Sequence, residues 1–329
     1  MQAIAIERHG GVEVLQTIDV DTPEAAAGEV LIRVEATSVN PVDTKIRQGS
    51  EGTDGMQYPA ILHMDVAGTV TQVGQGVTGF AVGDEVYGCV GGIVGMPGTL
   101  ADYVAADARL LATKPVSLNF AQAAALPLVA ITAWEAIVDR AEITLDDKVL
   151  VHGGTGGVGH IGVQLAKAQG AHVTATVQDE EKAAIARTLG ADETVLYQQE
   201  SPASYTARIT GSGFDTVFDT VGGQVLQNSL QAARLKGHVI STIGYDNYDL
   251  TDMHFKALRL DLVFMVISLI HDIDRATHGN ILRRLNGLIE KGQLTPLIDS
   301  THPFTLEGVR QAHLRLESGQ TTGKVVIAR

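Results

Sequence analysis

Between residues 149 and 162 the chain reads Val-Leu-Val-His-Gly-Gly-Thr-Gly-Gly-Val-Gly-His-Ile-Gly, and five residues from Gly153 to Gly159 are glycines. Glycine at that density costs chain entropy on folding, so something must approach this backbone too closely for side chains. Gly154, Gly156 and Gly159 fit the spacing G-x-G-x-x-G directly after a run of strand formers and at the opening of an amphipathic helix. In that context the spacing signals dinucleotide binding. Gly154 is expected at the tight turn, Gly156 where a pyrophosphate touches the backbone, and Gly159 where helix packs closely on strand. Gly157 and Val158 complete the cradle, and the helix start offers N–H groups and partial positive charge to the phosphates.

The far end of such a ligand is read beyond the next strand, where an acid about 20 residues on would hold the ribose. Val177 and Gln178 stand there, with Asp179 and Glu180 slightly beyond. Lys182, one turn into the next helix, and Tyr197, after the third strand, can clamp a 2′-phosphate; Asp179 would oppose it if it pointed inward. NADP(H) is favoured on this reading and NAD(H) stays open. Gly244, just past the expected strand 238–243, is a further cofactor contact.

These residues need a scaffold, and the chain shows two regimes. Up to about residue 118 short alternating stretches, such as 28–35 and 66–73, are punctuated by glycine and proline, the pattern of a mostly β domain in the form of a distorted barrel. An Ala-rich, helix-prone stretch over 119–141 follows, interrupted at Pro127. Strands are then expected at 148–152, 172–177, 194–197, 214–219 and 238–243. Helices are expected after the glycine cluster up to Ala168, at 180–189 and at 224–235. Strands alternating with helices of this length mean a doubly wound parallel sheet. The tail 301–329 is too short for a domain and is expected to complete the N-terminal one. The division is therefore 1–118 with 298–329 for the β domain and 119–297 for the nucleotide-binding domain.

Composition narrows the partners. At 329 residues the chain has room for about two domains. Its net charge of −14 argues against a nucleic-acid partner. The single cysteine, Cys89, excludes an internal disulfide and a four-cysteine metal cage. The apolar stretch 262–270, broken only by Ser268, is too short to span a bilayer, and the N-terminus lacks a secretion signal's apolar core, so a cytoplasmic location is expected.

Five motifs in order, Val39-Asn-Pro-Val-Asp-Thr-Lys-Ile-Arg-Gln-Gly49, Asp65-Val-Ala-Gly68, Gly79-Phe-Ala-Val-Gly-Asp-Glu-Val-Tyr-Gly88, Phe218-Asp-Thr-Val-Gly-Gly223 and Leu316-Glu-Ser-Gly-Gln-Thr-Thr-Gly-Lys324, span the chain. With the glycine cluster, they make it resemble the zinc-independent quinone oxidoreductase (zeta-crystallin-like) branch of the medium-chain dehydrogenases/reductases. That resemblance implies a Rossmann domain inserted into a GroES-like catalytic domain, with the active site in the cleft between. It implies Asn40 as a contact near the nicotinamide end, Thr132 as a hydroxyl to the cofactor, and Asp43 as a brace of the active-site segment or a loop cap. Lys45 either stabilises an oxyanion or is a solvated lysine. The zinc-dependent relatives carry metal ligands where this chain has Asn40, Met64 and a position near Pro127, none of them a plausible zinc ligand. A His63/Asp site remains the alternative to no metal at all. No residue matches the acid tyrosine of enoyl reductases; Tyr58 lies too close to Asp65.

Without a Lewis acid, a saturated carbonyl is a hard acceptor, whereas quinones and enones delocalise the charge left after hydride addition. The expected activity is NADPH-dependent reduction of quinones or α,β-unsaturated carbonyls. The alternatives are a metal-free alcohol/ketone dehydrogenase and a low-turnover NADPH-binding redox sensor. The apolar segment 258–270 is expected to pair across a homodimer, to line the substrate cleft, or to be an ordinary buried element.

Overall fold

A computed structural model describes residues 1–50, 53 and 55–329. They form two compact units: Met1–Leu128, Val266–Gly292 and Pro296–Arg329 make the first, and Val129–Met265 with Gln293–Thr295 the second. Residues 119–128, 266–292 and 296–297 thus go with the first unit, unlike the division expected from sequence. The reason is packing. Helix Phe120–Ala124 lies on strands Glu29–Val39 and Asp65–Val73, and helix Ala276–Ile289 lies on strand Leu111–Thr113. The Tyr87 hydroxyl ties that second helix down by donating to Asn286 Oδ1 at 2.6 Å.

The first unit is built on the strand Glu29–Val39, which is long enough to serve several partners. It pairs antiparallel with Asp65–Val73, with Tyr103–Asp107 and with the C-terminal strand Lys324–Ala328. The register against Asp65–Val73 shifts at two places, which bends the sheet. A separate three-stranded sheet joins Leu15–Asp19, Gln2–Ile6 and Ala60–Ile61. The loop 91–98 is anchored near both ends: a Cβ on Gly92 would strike the backbone of His63, and one on Gly98 that of Leu62.

The second unit holds a parallel sheet in the order Glu193–Leu196, His172–Val177, Lys148–Val151, Phe214–Asp219, Ala233–Ser241, Arg259–Leu262. Both faces are covered, so Val149, Leu150, Val151, Val217 and Phe218 are wholly buried, as continuous apolar runs require. The helix expected over 224–235 ends at Ala232, and the next strand starts at Ala233 instead of at 238. Pairing of Ala233 with Phe214 takes those residues into the sheet. The segment 258–270 divides into the edge strand Arg259–Leu262 and the short helix Ile267–His271. No helix is long and apolar enough to cross a membrane among the described residues.

Candidate functional site

The glycine loop joins strand Lys148–Val151 to helix Gly159–Ala168, at the point where the order of strands in the sheet reverses direction. Such a switch point leaves a crevice beyond the carboxyl ends of the strands. The roles of the glycines differ in detail from expectation. The left-handed turn belongs to Gly153, at φ 66°, and not to Gly154. Gly154 is instead the close-packing residue, since a Cβ there would sit 2.6 Å from that of Ala175 on the neighbouring strand. A Cβ on Gly159 would collide with the carbonyl of Gly153, so this glycine closes the loop on itself. Packing of the helix on strand Phe214–Asp219 falls to Gly162, where a Cβ would lie 2.9 Å from the Phe218 ring. Gly156 meets only the Gly153 oxygen and stays partly exposed, as do Gly157 and Val158. The amides of Gly157 and Val158 find no acceptor within the protein among the described residues. Two such amides at a helix start form an anion site.

Three side chains that sequence reasoning missed hold the loop in shape. The Thr176 hydroxyl accepts the Gly153 N–H at 3.1 Å and lies 3.2 Å from His152 Nδ1. The Thr220 hydroxyl donates to the His152 carbonyl at 2.7 Å. Asp219 accepts from the amides of Val221 and Gly222 and from the Ser241 hydroxyl, fixing the neighbouring turn. Burial drives His152 down to about 4, so it is neutral at physiological pH. A threonine directly before Val177 at a strand end was the available signal.

At the carboxyl end of strand His172–Val177, Asp179 is the N-cap of the next helix and accepts the Lys182 amide at 2.9 Å. Lys182 Nζ donates to Gln178 Oε1 at 3.1 Å. Val177 pairs with Leu196, which sets Gln178 beside Tyr197, a side chain 52% exposed. Lys182, from the helix, and Tyr197, after the adjacent strand, are thus each set beside Gln178. Gly244 follows the fifth strand and packs against the Leu262 side chain. Thr132 is buried on helix Pro127–Trp134.

In the first unit, Asn40 follows the long strand and caps helix Pro41–Gln48, with Pro41 at the first helical position and Gly49 closing the helix at φ 84°. The Asp43 carboxylate accepts the Asn40 N–H at 2.7 Å. Asn40 and Asp43 are fully buried, whereas Lys45 is half-buried. The Asn40 amide donates to Asp65 Oδ2 at 2.8 Å and its oxygen accepts from Lys324 Nζ. Asp65 also accepts from the Ser38 hydroxyl at 2.7 Å and the Leu128 amide at 2.8 Å. Burial, reinforced by the charge of Asp65, raises Asp43 to about 7. Burial lowers Lys324 against the opposing pull of Asp65 and Asp43. Beside this cluster His63 Nε2 lies 2.9 Å from His313 Nε2, and burial pushes both imidazoles well below the ordinary range. Among the described residues no group of three or more His, Cys, Asp or Glu side chains is placed to hold a metal ion.

Two family models match: an alcohol dehydrogenase GroES-like domain over residues 26–116 and a zinc-binding dehydrogenase over 157–273. A chloroplastic NADPH-dependent alkenal/one oxidoreductase of Arabidopsis thaliana is 35% identical over 99% of this chain and 79% of its own length. An alcohol dehydrogenase superfamily protein from Novosphingobium aromaticivorans superposes with a TM-score of 0.94 at 38% identity, covering all of both chains. The Escherichia coli quinone oxidoreductase, solved in complex with NADPH, superposes with a TM-score of 0.88 at 28% identity, again over all of both chains. Full-length likeness at this level, carried by a glycine loop at the switch point of a six-stranded parallel sheet, makes the chain a medium-chain dehydrogenase/reductase of the quinone oxidoreductase branch.

Proposed function

We propose that this protein is an NADPH-dependent reductase of quinones or α,β-unsaturated carbonyls that works by direct hydride transfer without zinc. The observation that carries the reading is the glycine loop: amides of Gly157 and Val158 without internal acceptors, at the start of a ten-residue helix. They would hold the pyrophosphate. Gln178, Lys182 and Tyr197 would take the adenosine ribose and its 2′-phosphate, with the Lys182 charge favouring the phosphorylated cofactor. Asp179 does not oppose this, because its carboxylate is turned to the helix amide. Thr132 and Gly244 complete the cofactor contacts. When bound, the reduced nicotinamide supplies the hydride that adds to the conjugated acceptor. Asn40 and Asp43, both buried, shape the active-site segment, and Lys45 is the one of the three with exposed surface to meet a developing oxyanion.

The zinc-free reading is supported by the residues themselves. Asn40 and Met64 are poor zinc ligands, and the Lys324 ammonium bonded to Asn40 is a cation already in place. A conjugated acceptor suits such a site, since it disperses charge without a Lewis acid. Homodimerisation through the edge strand Arg259–Leu262 fits an uncovered sheet edge on which Leu262 is 50% exposed. A strict monomer in sedimentation at micromolar concentration would exclude it.

The deciding experiment follows NADPH oxidation by its near-ultraviolet absorbance with a panel of quinones, enones and saturated ketones, with and without a chelator. Turnover of conjugated acceptors that survives chelation is expected. Tight NADPH binding with no acceptor turned over would indicate a sensor instead, and activity restored only by a divalent ion would remove the metal-free mechanism. In parallel, Lys182→Ala should weaken NADPH binding roughly tenfold and leave NADH unchanged.

A further inference from the structure

Lys324 opens the C-terminal strand and is 2% exposed, so its ammonium is removed from water in the middle of the first unit. A buried ammonium is costly unless its donors are met and its charge is compensated. Its donors go to the Val39 carbonyl at 2.9 Å and to Asn40 Oδ1, and its charge faces Asp65 at 3.8 Å. Asp43, Cys89 and His63 are the other titratable groups within its field.

This arrangement leaves the Asn40 amide a single orientation. A lysine ammonium only donates and a carboxylate only accepts. Rotating the amide by half a turn would place its NH₂ against the ammonium and its oxygen against Asp65. The same carboxylate reaches the starts of two helices that carry expected site residues. Its Oδ2 meets Asn40, ahead of helix Pro41–Gln48, and its Oδ1 meets Leu128, the second residue of helix Pro127–Trp134.

We propose that Lys324 is a positioning residue for the reaction: its buried ammonium, set against Asp65 across the Asn40 amide, fixes the starts of helices Pro41–Gln48 and Pro127–Trp134. The assignment rests on the reductase reading above. Lys324 touches neither cofactor nor substrate. It acts through Asn40 and Asp65, which hold the first turns of the two helices, and the geometry of Lys45 follows from theirs.

The test is Lys324→Met, close in length and without charge, measured beside the parent for turnover with a conjugated acceptor, NADPH dissociation constant by fluorescence, and melting temperature. Positioning predicts that kcat falls roughly tenfold to a hundredfold while NADPH affinity stays within about twofold, because the phosphate grip belongs to the other unit. A kcat within about twofold of the parent would overturn the assignment and leave the reductase reading intact. A parent that turns over no acceptor would remove both. Should Lys324→Met fail to fold for want of a counter-charge, the double variant Lys324→Met/Asp65→Asn removes both charges. A kcat still depressed in that folded protein supports positioning, and a kcat restored to parental level shows that Lys324 only neutralises Asp65.

Discussion

Thr176 shows how much one hydroxyl can control. The Gly153 amide donates to it at 3.1 Å in a part-buried bond, and the buried His152 Nδ1 lies within 3.2 Å. With the amide donating, the hydroxyl proton is left for the imidazole. Thr176→Val keeps the shape and removes both bonds, leaving a half-buried amide and a buried imidazole nitrogen without this partner. Stability should fall by about 1–3 kcal/mol. NADPH affinity should fall with it, because the turn at Gly153 is no longer pinned. A melting curve and a cofactor titration check this, and unchanged NADPH affinity would show that the loop holds itself. Gly159→Ala should be worse, since the added methyl lands on the Gly153 carbonyl and the loop must open. Cofactor binding is expected to be lost in a chain that still folds, judged by circular dichroism.

At the scale of elements, the helix Glu180–Thr188 separates two functions of neighbouring residues. Asp179 caps it and Lys182 faces Gln178. Asp179→Ala should cost about 1 kcal/mol of stability through the lost cap. It should not weaken NADPH binding, because a negative charge is removed from the phosphate end. Weaker NADPH binding in this variant would mean that Asp179 contacts the ligand. The same scale explains which element boundaries could be read in advance. Strand His172–Val177 and helix Glu180–Thr188 carry their own signals, β-branched residues in the one and helix formers closed by Gly190 in the other. Residues 233–237 carry a helical composition that the sheet overrides, with Lys236 at φ 57° breaking the regular path. Strand pairing is a long-range effect, and local propensity is too weak to oppose it.

For the whole molecule, buried ionisable groups set the response to acid. His152 and His313 titrate in the folded chain at about 4 and about 3 instead of 6.5, and His63 is shifted in the same direction. Below pH 6.5 the unfolded chain takes up protons that the folded chain refuses, so each of these histidines lowers stability as pH falls. Asp43 opposes them. Held at about 7 against an ordinary 3.8, it contributes stability that is complete below 3.8 and is lost as pH rises through 7. Between about 4 and 6.5 the histidines outnumber it, so stability should rise with pH there, at about 1.4 kcal/mol per pH unit for each net proton. Melting temperature measured across this range checks the sign. Asp43→Asn should steepen the acid-side slope, and a flat profile would contradict the burial of the imidazoles.

The sequence alone determined the alternation that makes a parallel sheet, the glycine loop between strand and helix, and the poor zinc ligands, because each depends on residue types at short spacing. Tertiary structure alone decided that Gly153 makes the turn and Gly159 closes it, that Asp179 caps a helix, and that Asn40 and Asp43 are buried. It also decided that Lys324, over 280 residues from Asn40, supplies the positive charge beside it. A side chain's partner across that separation depends on how strands register against one another, and strand register is a property of the folded whole.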